Sequence, residues 1–234
     1  MLYQLLLLYQ SKWYHMYMSK GILYIARHGE SEWNTLGKWT GWTDVSLTEK
    51  GKNDARMVGE SFLKDIAFDA VYTSDLKRTH ETLDAMMEGA GNALRASDAG
   101  VVHSAELKER DYGIYTGKDK WEVQKEVSAD VFTGIRRGWD FPIPEGENLE
   151  QVYDRVEPYF VNEILPKLKL GQKVLIVAHG NSIRALMKHL DNISDEGIAD
   201  VEMPLGHLLV YTFDGGDQPT DKQDLAINIG STKA

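Results

Sequence analysis

Two histidines of this chain stand in matching settings. The apolar run Ile22–Ala26 ends in Arg27-His28-Gly29 within ILYIARHGESEWN (22–34), and a second run ends in His179-Gly180 within VLIVAHGNSIRAL (174–186). A neutral imidazole can accept a phosphoryl group, and cations beside it stabilise the charge spread over the group in transfer. Basic residues at turn-like positions could supply those cations: Arg27, Arg78 in YTSDLKRTHET, Arg110 in LKERDYG, Lys120, and Arg136-Arg137 in GIRRGWD. Their guanidinium groups donate forked hydrogen bonds that match phosphate oxygens. An alkoxide leaving group also needs a proton, and Glu109 in ELKERDYGIYTG is the best candidate acid. The competing reading of Glu109 is a solvated carboxylate paired with Lys108 or Arg110. His15, His80, His103, His189 and His207 lack such a context and read as structural residues.

Other chemistries are poorly served. There is no G-x-x-x-x-G-K-[ST] loop and no H-E-x-x-H or similarly spaced ligand set, so neither P-loop nor metal catalysis is indicated. The absence of cysteine removes disulfides, Cys-based zinc sites and thiol catalysis, and fits a reducing compartment. A formal net charge of -10 argues against general binding to nucleic acid or anionic membrane. An anionic ligand must then be held by a local cluster of Arg and Lys.

Such a cluster needs a frame. Strand-like runs lie at Ile22–Ala26, Ala70–Thr73, Lys173–Ala178 and His207–Phe213, with a weaker one at Val101–Val102 and helical patterns between them. Lys52–Ile66 sets Ala55, Val58, Gly59, Phe62, Leu63 and Ile66 on one helical stripe. Asn148-Leu149-Glu150-Gln151 resembles a capping box and opens a helix with Leu149, Val152, Tyr153 and Val156 on one face. This alternation predicts an α/β fold with a mostly parallel sheet covered on both faces, where ligands bind beyond the carboxyl ends of the strands. A glycine after each histidine is expected to let the backbone bend there, and the helix that follows offers N–H groups to an anion.

The chain of 234 residues, 42% hydrophobic, suffices for one sizeable core. Residues 1–18, MLYQLLLLYQSKWYHMYM, read as an extension, disordered or upstream of a true start at Met18. Their apolar run is too short to span a bilayer and lacks the grammar of a signal peptide, so removing residues 1–17 is expected to leave activity intact. Residues 19–234 are expected to form a single catalytic domain.

RHGESEWN, TGWTDVSLTEKG, YTSDLKRT, LKERDYG, IRRG, EGENL, VAHGNSIRAL and MPLGHLLVYTFD occur in this order between about residues 21 and 214. In this the chain resembles the cofactor-dependent phosphoglycerate mutases of the histidine phosphatase superfamily. The resemblance implies a three-layer αβα sandwich and a cytoplasmic, metal-independent isomerase of glycolysis and gluconeogenesis. It implies that His28 is the phosphorylated nucleophile and Glu109 the proton donor and acceptor. Arg27, Arg78 and His179 would hold the transferring phosphoryl group, with Asn34 and Gly180 close by. Ser31, Thr40, Gly41, Arg110, Tyr112, Lys120, Arg136, Arg137 and Asn181 would bind the rest of the phosphoglycerate. The implied cofactor is 2,3-bisphosphoglycerate, which primes His28; phosphohistidine then phosphorylates 3-phosphoglycerate, and the other phosphate returns to release 2-phosphoglycerate.

The chain departs from that family in three places. Relatives often carry an additional, subunit-contacting segment after the paired arginines, where this chain runs directly through WDFPIPEGENL, leaving a homo-oligomer open. The end, DKQDLAINIGSTKA, does not resemble the family's lysine-rich mobile tail, and Lys108 and Asp111 replace the residues usual in LKERDYG. Two rival readings share the motifs. A phosphatase on small phosphate esters would use the same His28, Arg27, Arg78 and His179 but has little need for Tyr112, Lys120, Arg136 and Arg137. A non-catalytic binding domain would be expected to have lost His28, Glu109 or His179.

Overall fold

The computed structural model describes residues 19–228; the extension assigned to residues 1–18 and the last six residues lie outside the described residues. Six strands, β1 (Gly21–Arg27), β2 (Ala70–Thr73), β3 (Val101–His103), β4 (Lys173–Ala178), β5 (His207–Phe213) and β6 (Asp221–Ala226), form one sheet. Their order is β3-β2-β4-β1-β5-β6. The first four positions pair in parallel, and β5 and β6 are antiparallel additions at one edge. The sheet is therefore mostly parallel, as the alternating pattern predicts.

The helices are α1 (Glu32–Thr35), α2 (Glu49–Val58), α3 (Lys77–Gly89), α4 (Lys120–Glu126), α5 (Ala129–Arg137), α6 (Leu149–Tyr159), α7 (Leu165–Lys169) and α8 (Gly180–Leu190). Successive β1 side chains point to opposite faces. Leu23 and Ile25 pack with α6, α7 and α8, while Tyr24 and Ala26 pack with α2 and α3, which makes the three layers. Central strands buried on both faces must be apolar throughout, hence the continuous runs in the sequence. The capping box at Asn148 and Gln151 is formed, and Leu149, Val152 and Val156 are buried beneath it. A third cluster, Trp39, Val123, Phe132, Ile135 and Ile143, carries α4 and α5.

One expectation is corrected. The helix read over Lys52–Ile66 begins at Glu49, widens into a π-type turn at Gly59–Leu63 and stops there, because Asp65 takes a positive φ of 62°. Neither Gly29 nor Gly180 adopts a left-handed conformation. Gly29 is needed for close approach: a Cβ would stand 2.6 Å from the Gly51 carbonyl oxygen at the start of α2. Among the described residues no helix is long and apolar enough to cross a membrane.

Gly59 shows how tightly the outer layer is packed. A Cβ there would overlap the Met86 carbonyl on α3. Gly59→Ala is expected to force α2 and α3 apart at a cost of at least about 2 kcal/mol, lowering Tm by roughly 4–8 °C in a melt.

Candidate active site

β1 and β4 are parallel neighbours, with Arg27 opposite Ala178 in the register, so both His-Gly turns leave the sheet side by side. The rings of His28 and His179 lie 5.0 Å apart, tilted by 56°. One ring nitrogen from each, and a carboxylate oxygen of Glu109, lie within 4.8 Å of one another. Three negative or neutral donors at this spacing could share a cation. The buried guanidinium groups of Arg27 and Arg78 beside them make the site better suited to an anion.

Hydrogen bonds fix the tautomers. The Nδ1 of His28 lies 2.7 Å from the Gly29 carbonyl oxygen, which can only accept. In the neutral ring the proton therefore sits on Nδ1, and Nε2 carries the lone pair. Arg78 Nε donates to His179 Nδ1 at 3.2 Å, so His179 keeps its proton on Nε2, 2.7 Å from Ser74 Oγ. Burial and then Arg78 hold both imidazoles well below 6.5, so both are neutral at pH 7.

Glu109 is 8% exposed, not solvated, and Lys108 pairs with Asp75 instead. Its Oε1 accepts from the backbone N–H of Arg110 at 2.7 Å, the Asn181 amide at 2.9 Å and the Asn181 backbone at 3.2 Å. Its carbonyl accepts from Trp42 Nε1 at 2.7 Å and Arg155 Nη2 at 3.1 Å, and Arg155 also pairs with Glu147. The carboxyl is thus held from its main chain and from its side chain.

Two neighbouring spaces share Glu109 as a lining residue. A small inner one of about 50 Å³ is lined by His28, Asn34, Thr40 and Arg78, and a larger one of about 490 Å³ by Arg136, Arg137, Gly180 and Asn181. Arg27, Glu109, Tyr112 and Lys120 line both. His179 lies behind His28, fully buried. Ser31, Gly41 and Arg110 line neither space. Ser31 bonds to the Asn34 side chain, and Gly41 offers its carbonyl to Arg78 Nη2. Arg110 lies 4.6 Å from the Tyr112 ring and donates to the Ile135 carbonyl.

Sequence reasoning missed four neighbours. Arg184 and Glu202 line the larger space, as does His207, which reads as structural in the sequence, while Ser74 orients His179. Arg184 follows Asn181 by three residues on α8, a spacing that places both on one face and could have signalled it. Glu202 pairs with Arg137, and no local pattern marks it. Ile227 and Asn228, just past β6, also reach this wall.

The wall is strongly cationic. Burial, then Arg27 and Arg136, push Lys120 down to about 8. Arg27 Nε, Arg184 Nε, and Nε and Nη1 of Arg110 are buried without a hydrogen-bond partner. Of these residues Arg27 and Arg184 line the larger space, where their free donors call for acceptors from a ligand.

Comparison with known proteins identifies the family. A profile of the histidine phosphatase superfamily (branch 1) matches residues 23–223. The 2,3-bisphosphoglycerate-dependent phosphoglycerate mutase of Parvibaculum lavamentivorans is 39% identical over 82% of this chain and 90% of its own length. That of Cytophaga hutchinsonii is 42% identical over 82% of this chain and 87% of its own. Among solved structures, Bacillus stearothermophilus YhfR superposes with a TM-score of 0.72 at 28% identity, over 85% of this chain and 93% of that one. The chain belongs, with these proteins, to branch 1 of the histidine phosphatase superfamily.

Proposed function

We propose that this protein interconverts 3-phosphoglycerate and 2-phosphoglycerate through a phosphohistidine on His28. The observation that carries the reading is that a small space at His28 shares Arg27, Glu109, Tyr112 and Lys120 with a larger cationic one lined by Arg136 and Arg137. A ligand with anions at both ends fits two such spaces, and a simple phosphatase needs just the first. Relatives about 40% identical bear the mutase name, which supports the same reading.

His28 Nε2 attacks phosphorus, the P–O bond to the alkoxide breaks, and Glu109 delivers a proton to that oxygen. In reverse, Glu109 takes the proton of the acceptor hydroxyl as it attacks phosphorus on His28. Arg27 and Arg78 stand against the charge spread over the transferring group. Lys120, Arg136 and Arg137 hold the far end of the substrate. The unpartnered guanidinium Nε–H of Arg27, which lines both spaces, fits a polyanion such as 2,3-bisphosphoglycerate. When bound, that cofactor supplies the first phosphoryl group to His28.

The test is to mix the protein with 2,3-bisphosphoglycerate labelled in its phosphates and trap the protein. Acid-labile, base-stable label on His28 is the expected result; a protein left unlabelled, or labelled elsewhere, would overturn the assignment.

Two variants examine the far wall. Arg137→Ala should raise KM for 3-phosphoglycerate about 10–100-fold, as loss of a charged hydrogen bond does, with far less effect on the labelling of His28. An equal loss in both would remove Arg137 from the clamp. For Lys120 the charged form binds, so kcat/KM should fall as pH rises through about 8. Lys120→Arg keeps its charge above that pH, and the alkaline limb should move upward with it.

A further inference from the structure

The larger space has one buried cation that the mechanism above does not use. Arg184 is 4% exposed on α8. Its Nη1 donates to Asn181 Oδ1 at 2.9 Å, and Nη2 donates to the Ile198 carbonyl at 2.7 Å and to the Arg137 carbonyl at 3.3 Å. A guanidinium has donors and no acceptor, so the Asn181 carboxamide must turn its oxygen toward Arg184. That leaves the Asn181 Nδ2 hydrogens for Glu109 Oε1 at 2.9 Å and the Tyr112 hydroxyl at 3.0 Å.

We propose that Arg184 is a positioning residue which, through Asn181, selects the oxygen of Glu109 that exchanges the proton. This rests on the acid role given to Glu109 above. With Nδ2 in place, Oε1 accepts three N–H groups, so its lone pairs are already engaged. Oε2 remains, close to the Gly180 backbone and to Arg27: a Cβ built on Gly180 would lie 3.7 Å from Oε2 and 3.6 Å from the Arg27 guanidinium carbon. Without Arg184 the carboxamide is free to turn over and set its oxygen against the carboxylate. Glu109 would then lose one of the three donors that fix which oxygen carries the proton, and its side chain would be free to leave the transferring group.

Leaving groups of different basicity separate this role from a scaffold role. A p-nitrophenolate departs without a proton, whereas the alkoxide of 3-phosphoglycerate needs one. Arg184→Met, Arg184→Lys, Asn181→Ala and the double variant Arg184→Met/Asn181→Ala would be assayed on p-nitrophenyl phosphate and on consumption of 3-phosphoglycerate. Arg184→Met is expected to lower kcat/KM on 3-phosphoglycerate about 10–100-fold, and kcat/KM on the aryl ester, which ends at nitrophenolate release and leaves out the later attack of water, less than about threefold. Asn181→Ala should show the same selectivity, and adding Arg184→Met to it should change the ratio no further. Equal losses on both esters would overturn the proposal, as would a rise in KM with kcat intact, or an undiminished Arg184 effect in the Asn181→Ala background. If Arg184→Met does not fold, Arg184→Lys and Asn181→Ala decide it, since selective loss must appear in Asn181→Ala by itself. Whether 3-phosphoglycerate becomes 2-phosphoglycerate or inorganic phosphate tests the mutase reading separately, because the ester ratio is read in either case.

Discussion

His28→Ala is expected to remove both phosphoglycerate interconversion and phosphate-ester hydrolysis, by about 10⁴-fold or more, as loss of a covalent nucleophile does. The structure gives the reason for so complete an effect. His28 has its Nδ1 proton committed to the Gly29 carbonyl, and burial together with Arg78 and Arg27 keeps the ring neutral. A neutral Nε2 lone pair is thus available at every ordinary pH, and His179 cannot replace it. Both ring nitrogens of His179 are engaged, one by Arg78 and one by Ser74. The fold should survive, since the His28 backbone N–H keeps its bond to the Ala178 carbonyl at 2.9 Å and the ring's hydrogen bond is to its own neighbour, Gly29. Activity assays beside circular dichroism read both parts, and retained turnover would mean that another group is the nucleophile.

Glu109→Gln carries the second large effect. The substitution keeps the shape and lets the amide oxygen accept from Arg110, Asn181 and the Asn181 backbone as Oε1 does. What it removes is the proton. Turnover of 3-phosphoglycerate should fall about 10²–10⁴-fold, the usual worth of a general acid, while an aryl phosphate should lose much less. Comparison of kcat/KM on the two esters checks this, because for the aryl ester that ratio ends at nitrophenolate release and leaves out the later attack of water, in which Glu109 acts as base. Equal losses would mean that Glu109 acts through charge or packing and that the proton comes from elsewhere.

Much of the frame was legible in the sequence because buried parallel strands must be apolar on both faces. The runs at Ala70–Thr73, Lys173–Ala178 and His207–Phe213 are strands with those bounds. β6 was not legible: DKQDLA is polar, and an exposed edge strand is held by backbone pairing that no side-chain pattern reports. The two His-Gly turns announced a shared pocket through a repeated local motif. Glu109 could not be told from a surface carboxylate by its neighbours in sequence, because its burial depends on Trp42, Arg155 and Asn181, far away along the chain. Ser31, Gly41 and Arg110 came to attention through resemblance, and the fold places them behind the lining residues, where they brace Asn34, Arg78 and Tyr112. The close approach of Gly29 to Gly51, which leaves no room for a Cβ, is a tertiary fact that no local pattern reports.

The most direct measurement follows 3-phosphoglycerate by phosphorus NMR, with and without catalytic 2,3-bisphosphoglycerate and with no metal added. Growth of the 2-phosphoglycerate resonance that depends on the bisphosphate is the result this account predicts. Inorganic phosphate appearing alone would contradict it, showing that water rather than phosphoglycerate takes the phosphoryl group from His28.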